Sequence, residues 1–285
     1  MMRISKPGFM TSVQDLGRVG YRHYGVPVSG ACDSIAAKRV NALLENSSSD
    51  AVLECTMFGP EINFEADTFL AISGADMQAF LNDEKLEMNK VYAVNEGSTL
   101  SCGNIEKGLR AYIGIRGGIH TPEVLGSRSF YFPVTEKGQL AKGDGLAFDP
   151  STQYEPKVLK ISSSDLYREI DLTAYPGPEF EILSEASRKQ LLESPFTISK
   201  DFDRMACRLA ETLDPHSHKL ITSATLPGSV QYTPAGQVMV LTRDGQTTGG
   251  YPRILQLDER SLCILAQKRA GDTIRFNFRE NSLSN

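Results

Sequence analysis

The chain has 285 residues, 40% hydrophobic and 23% charged, with a formal net charge of −5. This composition excludes a disordered chain or a coiled coil, and the length suits two domains or one elongated one. Scattered Lys and Arg argue against a nucleic-acid partner, and no apolar run approaches the ~20 residues of a bilayer span.

The N-terminal Met-Met-Arg-Ile-Ser-Lys-Pro-Gly lacks the apolar core of a signal peptide, so a cytoplasmic location is expected. The first polar concentration is Thr11-Ser-Val-Gln-Asp-Leu-Gly-Arg-Val-Gly-Tyr, with Gln14, Asp15 and Arg18 around Gly17 and Gly20. Next comes Gly25-Val-Pro-Val-Ser-Gly-Ala-Cys-Asp, which contains Ser29 and ends at Asp33. Asp33 caps a predicted helix over 33–44, where Ile35, Ala36, Val40, Leu43 and Leu44 fall at helical spacing. The backbone N–H groups opening that helix suit an anion.

Strands are predicted at 51–54, 68–72 and 110–115, then at 180–183, 230–232, 238–242 and 273–278, with turn chemistry between them. Shorter helical pieces are predicted at 165–167 and 187–192. Short strands at this spacing point to a mainly β fold with a few helices, built as sandwich or barrel. Gly103-Asn-Ile-Glu-Lys-Gly has the spacing of a phosphate loop but is followed by Leu109, Gly117-Gly118 lacks the third glycine of a dinucleotide fingerprint, and no GxSxG occurs. Asp149-Pro-Ser-Thr-Gln-Tyr-Glu-Pro is the best linker candidate, which places the expected domains at 1–155 and 156–285. Gln139, Gly143, Asp144, Leu146 and Phe148 echo in Gln267, Gly271, Asp272, Ile274 and Phe276 at a constant offset of 128, the mark of a duplicated strand-and-turn unit.

Asp203-Arg204-Met205 sets a guanidinium suited to pairing with a carboxylate. The loop Thr242-Arg-Asp-Gly-Gln-Thr-Thr-Gly-Gly-Tyr-Pro gathers Asp244, Gln246, Thr247 and Thr248 beside Gly249 and Gly250, more hydrogen-bonding groups than a turn needs. This loop and the one at Gln14 to Arg18 are expected to border a cleft. The five cysteines, with no CxxC, read as buried thiols, and His216-Ser-His218 reads as a polar loop, so no metal is expected.

These loops, together with Leu53-Glu-Cys-Thr, Gly59-Pro60, Leu125-Gly-Ser-Arg-Ser, Gly177-Pro178 and Leu226-Pro-Gly-Ser-Val-Gln, resemble the biotin-dependent carboxyltransferase-domain family. That family includes the C subunit of ATP-dependent 5-oxoprolinase, also described as a kinase-inhibitor antagonist, and proteins called allophanate hydrolase subunit 2. The resemblance implies two cyclophilin-like β-barrel subdomains. It further implies ATP-dependent hydrolysis of 5-oxoproline, a cyclic amide, to glutamate in a complex with the A and B subunits of 5-oxoprolinase. The expected catalytic residues are Asp15, Asp33, Asp244 and Thr247. Gln14, Arg18, Ser29, Arg204, Gln231, Gln246, Thr248, Gly249, Gly250 and Tyr251 are expected to bind substrate, with Arg18 or Arg204 taking its carboxylate and Asp244 a proton. Two alternatives stand beside this reading: carboxyl transfer to urea or another amide from biotin carried by a partner, and a non-catalytic regulator that binds a kinase-inhibitor-like B subunit. The chain departs from the family pattern at Cys32, Ala206-Cys207 and Ser223-Ala-Thr225.

Overall fold

Short strands with one or both faces apolar build two separate cores. The computed structural model describes residues 1–162, 166–218 and 220–279. The chain divides into two units: Met1–Val19 with the described residues of Ser29–Leu166, and Gly20–Val28 with the described residues from Tyr167 onward.

In the first unit the strands are β1 (Met2–Lys6), β2 (Met10–Gln14), β3 (Val52–Thr56), β4 (Glu61–Phe64), β5 (Thr68–Asp76), β6 (Phe80–Leu81), β7 (Glu84–Lys85), β8 (Val91–Val94), β9 (Thr99–Ser101), β10 (Lys107–Ile115) and β11 (Gly145–Leu146). They form a six-stranded sheet, β11-β1-β4-β9-β6-β7, and a five-stranded sheet, β2-β3-β10-β5-β8. Ile4, Ile62 and Leu100 of the first sheet share one core with Leu53, Ile72 and Ile113 of the second.

The other face of the second sheet is covered by helix α1 (Ser34–Leu43), whose Ala37 and Val40, with Leu44, pack against Val52, Ala71 and Tyr112. Covered on both faces, β3 has every residue buried, Glu54 included, rather than alternate ones. The helix lies so close that a Cβ on Gly114 would stand 2.0 Å from Val40 Cγ1.

The linker candidate belongs to this unit. Tyr154 packs edge-on against Phe69 at 5.0 Å and donates its hydroxyl to Leu43 O at 3.1 Å, and Ile161 joins the same cluster. These contacts carry the first unit on to Leu166, beyond the boundary expected near residue 155. Of the helical piece expected at 165–167, Asp165 lies outside the described residues, and Leu166–Arg168 form a 3-10 turn.

The second unit holds β12 (Asp171–Pro176), β13 (Phe196–Phe202), β14 (Ala206–Thr212), β15 (Ser223–Ala224), β16 (Ser229–Tyr232), β17 (Gln237–Leu241), β18 (Thr248–Gly249), β19 (Arg253–Leu257) and β20 (Thr273–Phe278). Seven close a barrel in the order β12-β19-β16-β17-β14-β13-β20, and β15 pairs with β18 as a separate ribbon. The barrel architecture is thus a closed ring here and two facing sheets in the first unit.

Helix α2 (Glu185–Glu193) contains the predicted 187–192 and is capped by Ser184. Helix α3 (Glu259–Leu265) escapes periodicity analysis because Leu262, Cys263, Ile264 and Leu265 are all buried; only its Asp258 cap betrays it. The strand expected at 180–183 is instead a 3-10 turn, Phe180–Ile182, whose apolar side chain is buried by stacking on Phe278 at 5.3 Å.

The sequence echo marks one turn built twice. Gly143 and Gly271 have φ of 91° and 92°. Asp144 Oδ2 accepts from Ala141 N as Asp272 Oδ2 accepts from Arg269 N. Each turn then exchanges two backbone hydrogen bonds with an isoleucine, Ile4 in one case and Ile198 in the other.

Gly114→Ala forces a methyl into Val40 and is expected to destabilise the chain by about 1–3 kcal/mol, read as a lower denaturation midpoint at unchanged m-value. An unchanged midpoint would show that α1 does not press on β10.

Candidate functional site

In the first unit the expected polar residues are engaged in holding backbone. Asp15 takes hydrogen bonds from Gly17 N (2.7 Å), Arg128 N (2.6 Å), Ser127 Oγ (2.7 Å) and Ser129 Oγ (2.6 Å). A carboxylate with four donors is a strong anchor for the backbone around it. Arg18, fully buried, donates to the carbonyls of Val124 and Ser129, and Gln14 donates to Ser12 Oγ and Phe130 O. Ser29 is buried with φ of 56°, a left-handed backbone, next to Gly30, where a Cβ would meet Gly17 N at 2.8 Å. Asp33 accepts from Ala36 N at 3.0 Å as the cap of α1.

Beneath that cap lies a buried polar network that sequence reasoning missed. Glu54, 2% exposed, accepts from Cys32 N and from the Tyr112 hydroxyl, both at 2.7 Å, with Arg110 Nε 3.8 Å away. The same hydroxyl accepts from Asp33 N at 2.7 Å. Burial, and then the charge of Glu54, push the Tyr112 phenol well above its ordinary pKa. Glu54 lies within the Leu53-Glu-Cys-Thr motif, but a charged residue amid a strand reads as solvent-facing unless a covering helix is known.

The second unit brings other groups together. Arg22, on the 3-10 turn Arg22–Tyr24, donates from Nη2 to Thr225 O (2.5 Å) and Gln246 O (3.3 Å). Thr225 donates its hydroxyl to Gln246 O, and its N–H to Thr247 O at 3.1 Å. Gln246 Nε2 donates to Gln231 Oε1 at 3.0 Å. Among the described residues of this unit two buried donors are left over, Arg22 Nη1 and Gln231 Nε2. Gly249 makes the space, because a Cβ there would stand 2.7 Å from Gln231 Nε2.

Partial burial lowers the Arg22 pKa, and among the described residues no carboxylate pairs with it. A desolvated guanidinium that meets only carbonyls suits an anionic or carbonyl-bearing ligand. Arg22 escaped sequence analysis because its segment, 20–28, leaves the unit of its chain neighbours; the flanking Gly20 and Gly25, both at positive φ, were the available signal.

Gln231, Gln246 and Gly249 therefore meet, with Thr247 beside them and Thr248 exposed on the β15–β18 ribbon. Gly250 and Tyr251 are exposed. Arg204 and Asp244 instead satisfy each other bidentately, Nε to Oδ2 at 2.8 Å and Nη2 to Oδ1 at 3.1 Å. That pair holds the loop, with Arg204 and Asp244 engaged with each other. Cys32, Cys55, Cys207 and Cys263 are buried, and burial pushes the Cys55 thiol up to about 12.

Residues 24–278 match the family described as carboxyltransferase domain, subdomain A and B. The chain is 33% identical to the 5-oxoprolinase C subunit of Escherichia coli over 97% of its own length and 90% of that protein's. It is 31% identical to urea amidolyase of Lachancea kluyveri over 96% of its own length but 16% of that protein's. The solved structure of TTHA0988 superposes with a TM-score of 0.87 at 28% identity, covering 97% of this chain and 55% of that one.

Tyr112 carries a pH signature. An acid whose pKa is raised by folding stabilises the fold fully below its unfolded value, near 10, and loses that contribution as pH rises above it. In an ultraviolet titration of the ten tyrosines Tyr112 is expected to stay un-ionised until the chain unfolds at high pH, later than Tyr154 and Tyr232, which burial also raises, and Tyr112→Phe to remove one residue from that last step. Ten tyrosines ionising together near 10 in the folded chain would contradict the network.

Proposed function

We propose, since the chain belongs to the carboxyltransferase-domain family with subdomains A and B, that it is the C subunit of an ATP-dependent 5-oxoprolinase, opening the lactam of 5-oxoproline to glutamate together with the A and B subunits. The observation that carries this reading is extent. The relative named as the C subunit of 5-oxoprolinase is matched over nearly its whole length, whereas urea amidolyase runs far beyond the match.

The substrate offers a carboxylate and a lactam carbonyl. Amide resonance protects the carbonyl carbon, so water attack requires donors that stabilise charge building on the oxygen. Arg22 Nη1 and Gln231 Nε2 are donors without acceptors, joined through Gln246, and each suits one of those oxygens. Arg22 binds the negative group, Gln231 orients the carbonyl, Gln246 and Gly249 fix the Gln231 amide, and the Arg204–Asp244 pair holds the loop that carries Gln246.

ATP supplies the drive of the reaction, and this chain is poorly fitted to hold its phosphates. The segment 103–108 leads into strand β10 rather than a helix N-terminus, so it presents no array of converging N–H groups. We assign ATP to the partner subunits.

The urea amidolyase match favours a second reading, in which the same donors face an amide that accepts a carboxyl group from biotin carried by another protein. The two readings separate in a reconstituted assay. With the A and B subunits and ATP, glutamate formation from 5-oxoproline is expected to require this chain. Arg22→Gln and Gln231→Leu are expected to lower kcat/KM about 10- to 100-fold, the ~1.5–3 kcal/mol of a hydrogen bond to a charged group. Equal glutamate formation without the chain, or ATP turnover that follows biotin and urea instead, would overturn the proposal.

A further inference from the structure

Between β10 and β11 the chain runs from Arg116 to Asp144 without a strand or helix, a length of irregular backbone that compact domains seldom carry without a function. It is nonetheless pinned. Phe130 N and Leu140 N donate to Val13 O and Thr11 O at 2.9 and 2.8 Å, Gln14 Nε2 donates to Phe130 O, and Arg18 Nε to Val124 O at 3.1 Å. The Asp15 carboxylate holds residues 127–129. The buried polar groups of the N-terminal loop thus fix the walls of a cavity of about 270 Å³.

We propose that this cavity binds a small amine with an aromatic or branched apolar body. Its walls are Pro122, Val124, Phe130, Leu140 and Leu146. An apolar void of about 150 Å³ admits benzene, so this one has room for a ring with a short side chain. The polar end is set by Glu136, Lys137 and Asp144. Lys137 spends its charge on Asp144 at 2.6 Å, and Asp144 also takes the Ala141 N–H at 2.9 Å. Glu136, exposed, has no ion-pair partner among the described residues and leaves an unpaired carboxylate at the polar end. That charge repels a carboxylate and attracts an ammonium head group.

The test is titration of the full chain at neutral pH with benzylamine, benzyl alcohol and benzoate, read by calorimetry and by methyl chemical shifts. Benzylamine is expected to bind most tightly and benzoate most weakly, with shifts centred on the Leu140 and Leu146 methyls. Val124→Trp fills the cavity and is expected to abolish binding at an unchanged circular dichroism spectrum. Glu136→Gln is expected to weaken benzylamine about threefold while sparing benzyl alcohol. Benzoate binding as tightly as benzylamine, shifts elsewhere in the chain, or no binding of any probe at millimolar concentration would overturn the proposal. The methyl shifts decide the matter in the wild-type chain even if the tryptophan variant fails to fold.

Discussion

A cation drawn out of water must be compensated, and among the described residues Arg22 is compensated by carbonyl oxygens alone. Two loops of the second unit are arranged around this requirement. Thr225 and Gln246 turn their carbonyls to the guanidinium, and the Thr225 hydroxyl adds a further bond to Gln246 O. With that backbone fixed, the Gln246 amide reaches Gln231, and the pairing of β15 with β18 follows from the same alignment of 223–225 with 247–249. Carbonyl dipoles offset desolvation without cancelling the charge, which leaves the guanidinium able to attract an anion. Arg253, in the same unit, shows the alternative. It meets Glu179 bidentately, its charge is neutralised, and the pair holds Glu179 below the usual carboxylate range.

The first unit treats its buried carboxylates in the opposite way. Asp15 has four donors, and Glu54 has a backbone N–H and a phenol with Arg110 nearby. Saturated carboxylates of this kind rigidify the backbone that they hold. Asp15 binds the long segment before β11 to β2, and Glu54, through Tyr112, binds the start of α1 to β10. The sharp approach of α1 to Gly114 then sets the helix over the sheet.

The fold class was legible because turn residues punctuate short apolar runs, and α1 because Asp33 precedes a helical period. The repeated turn was legible because glycine and aspartate are demanded by its geometry, at Gly143 and Asp144 as at Gly271 and Asp272. Helix α3 was hidden because burial on all sides erases periodicity, and the turn at Phe180 because an apolar pair looks like a strand when its stacking partner, Phe278, is distant in sequence. In the candidate site the identity of polar groups was readable and their allegiance was not. Gln231, Gln246 and Gly249 meet, but Arg204 and Asp244 satisfy each other, and Asp15 and Asp33 act on backbone. Arg22 was hard to read because its short segment crosses into the second unit, a fact of topology marked locally by no more than Gly20 and Gly25.

The central claim is that Arg22 and Gln231 receive the oxygens of a small cyclic amide acid. The most direct measurement is a structure of this chain assembled with the A and B subunits in the presence of 5-oxoproline. The account predicts ligand oxygens within hydrogen-bond distance of Arg22 Nη1 and Gln231 Nε2, with the Arg204–Asp244 pair intact. Ligand bound elsewhere, with both donors still lacking an acceptor, would contradict it.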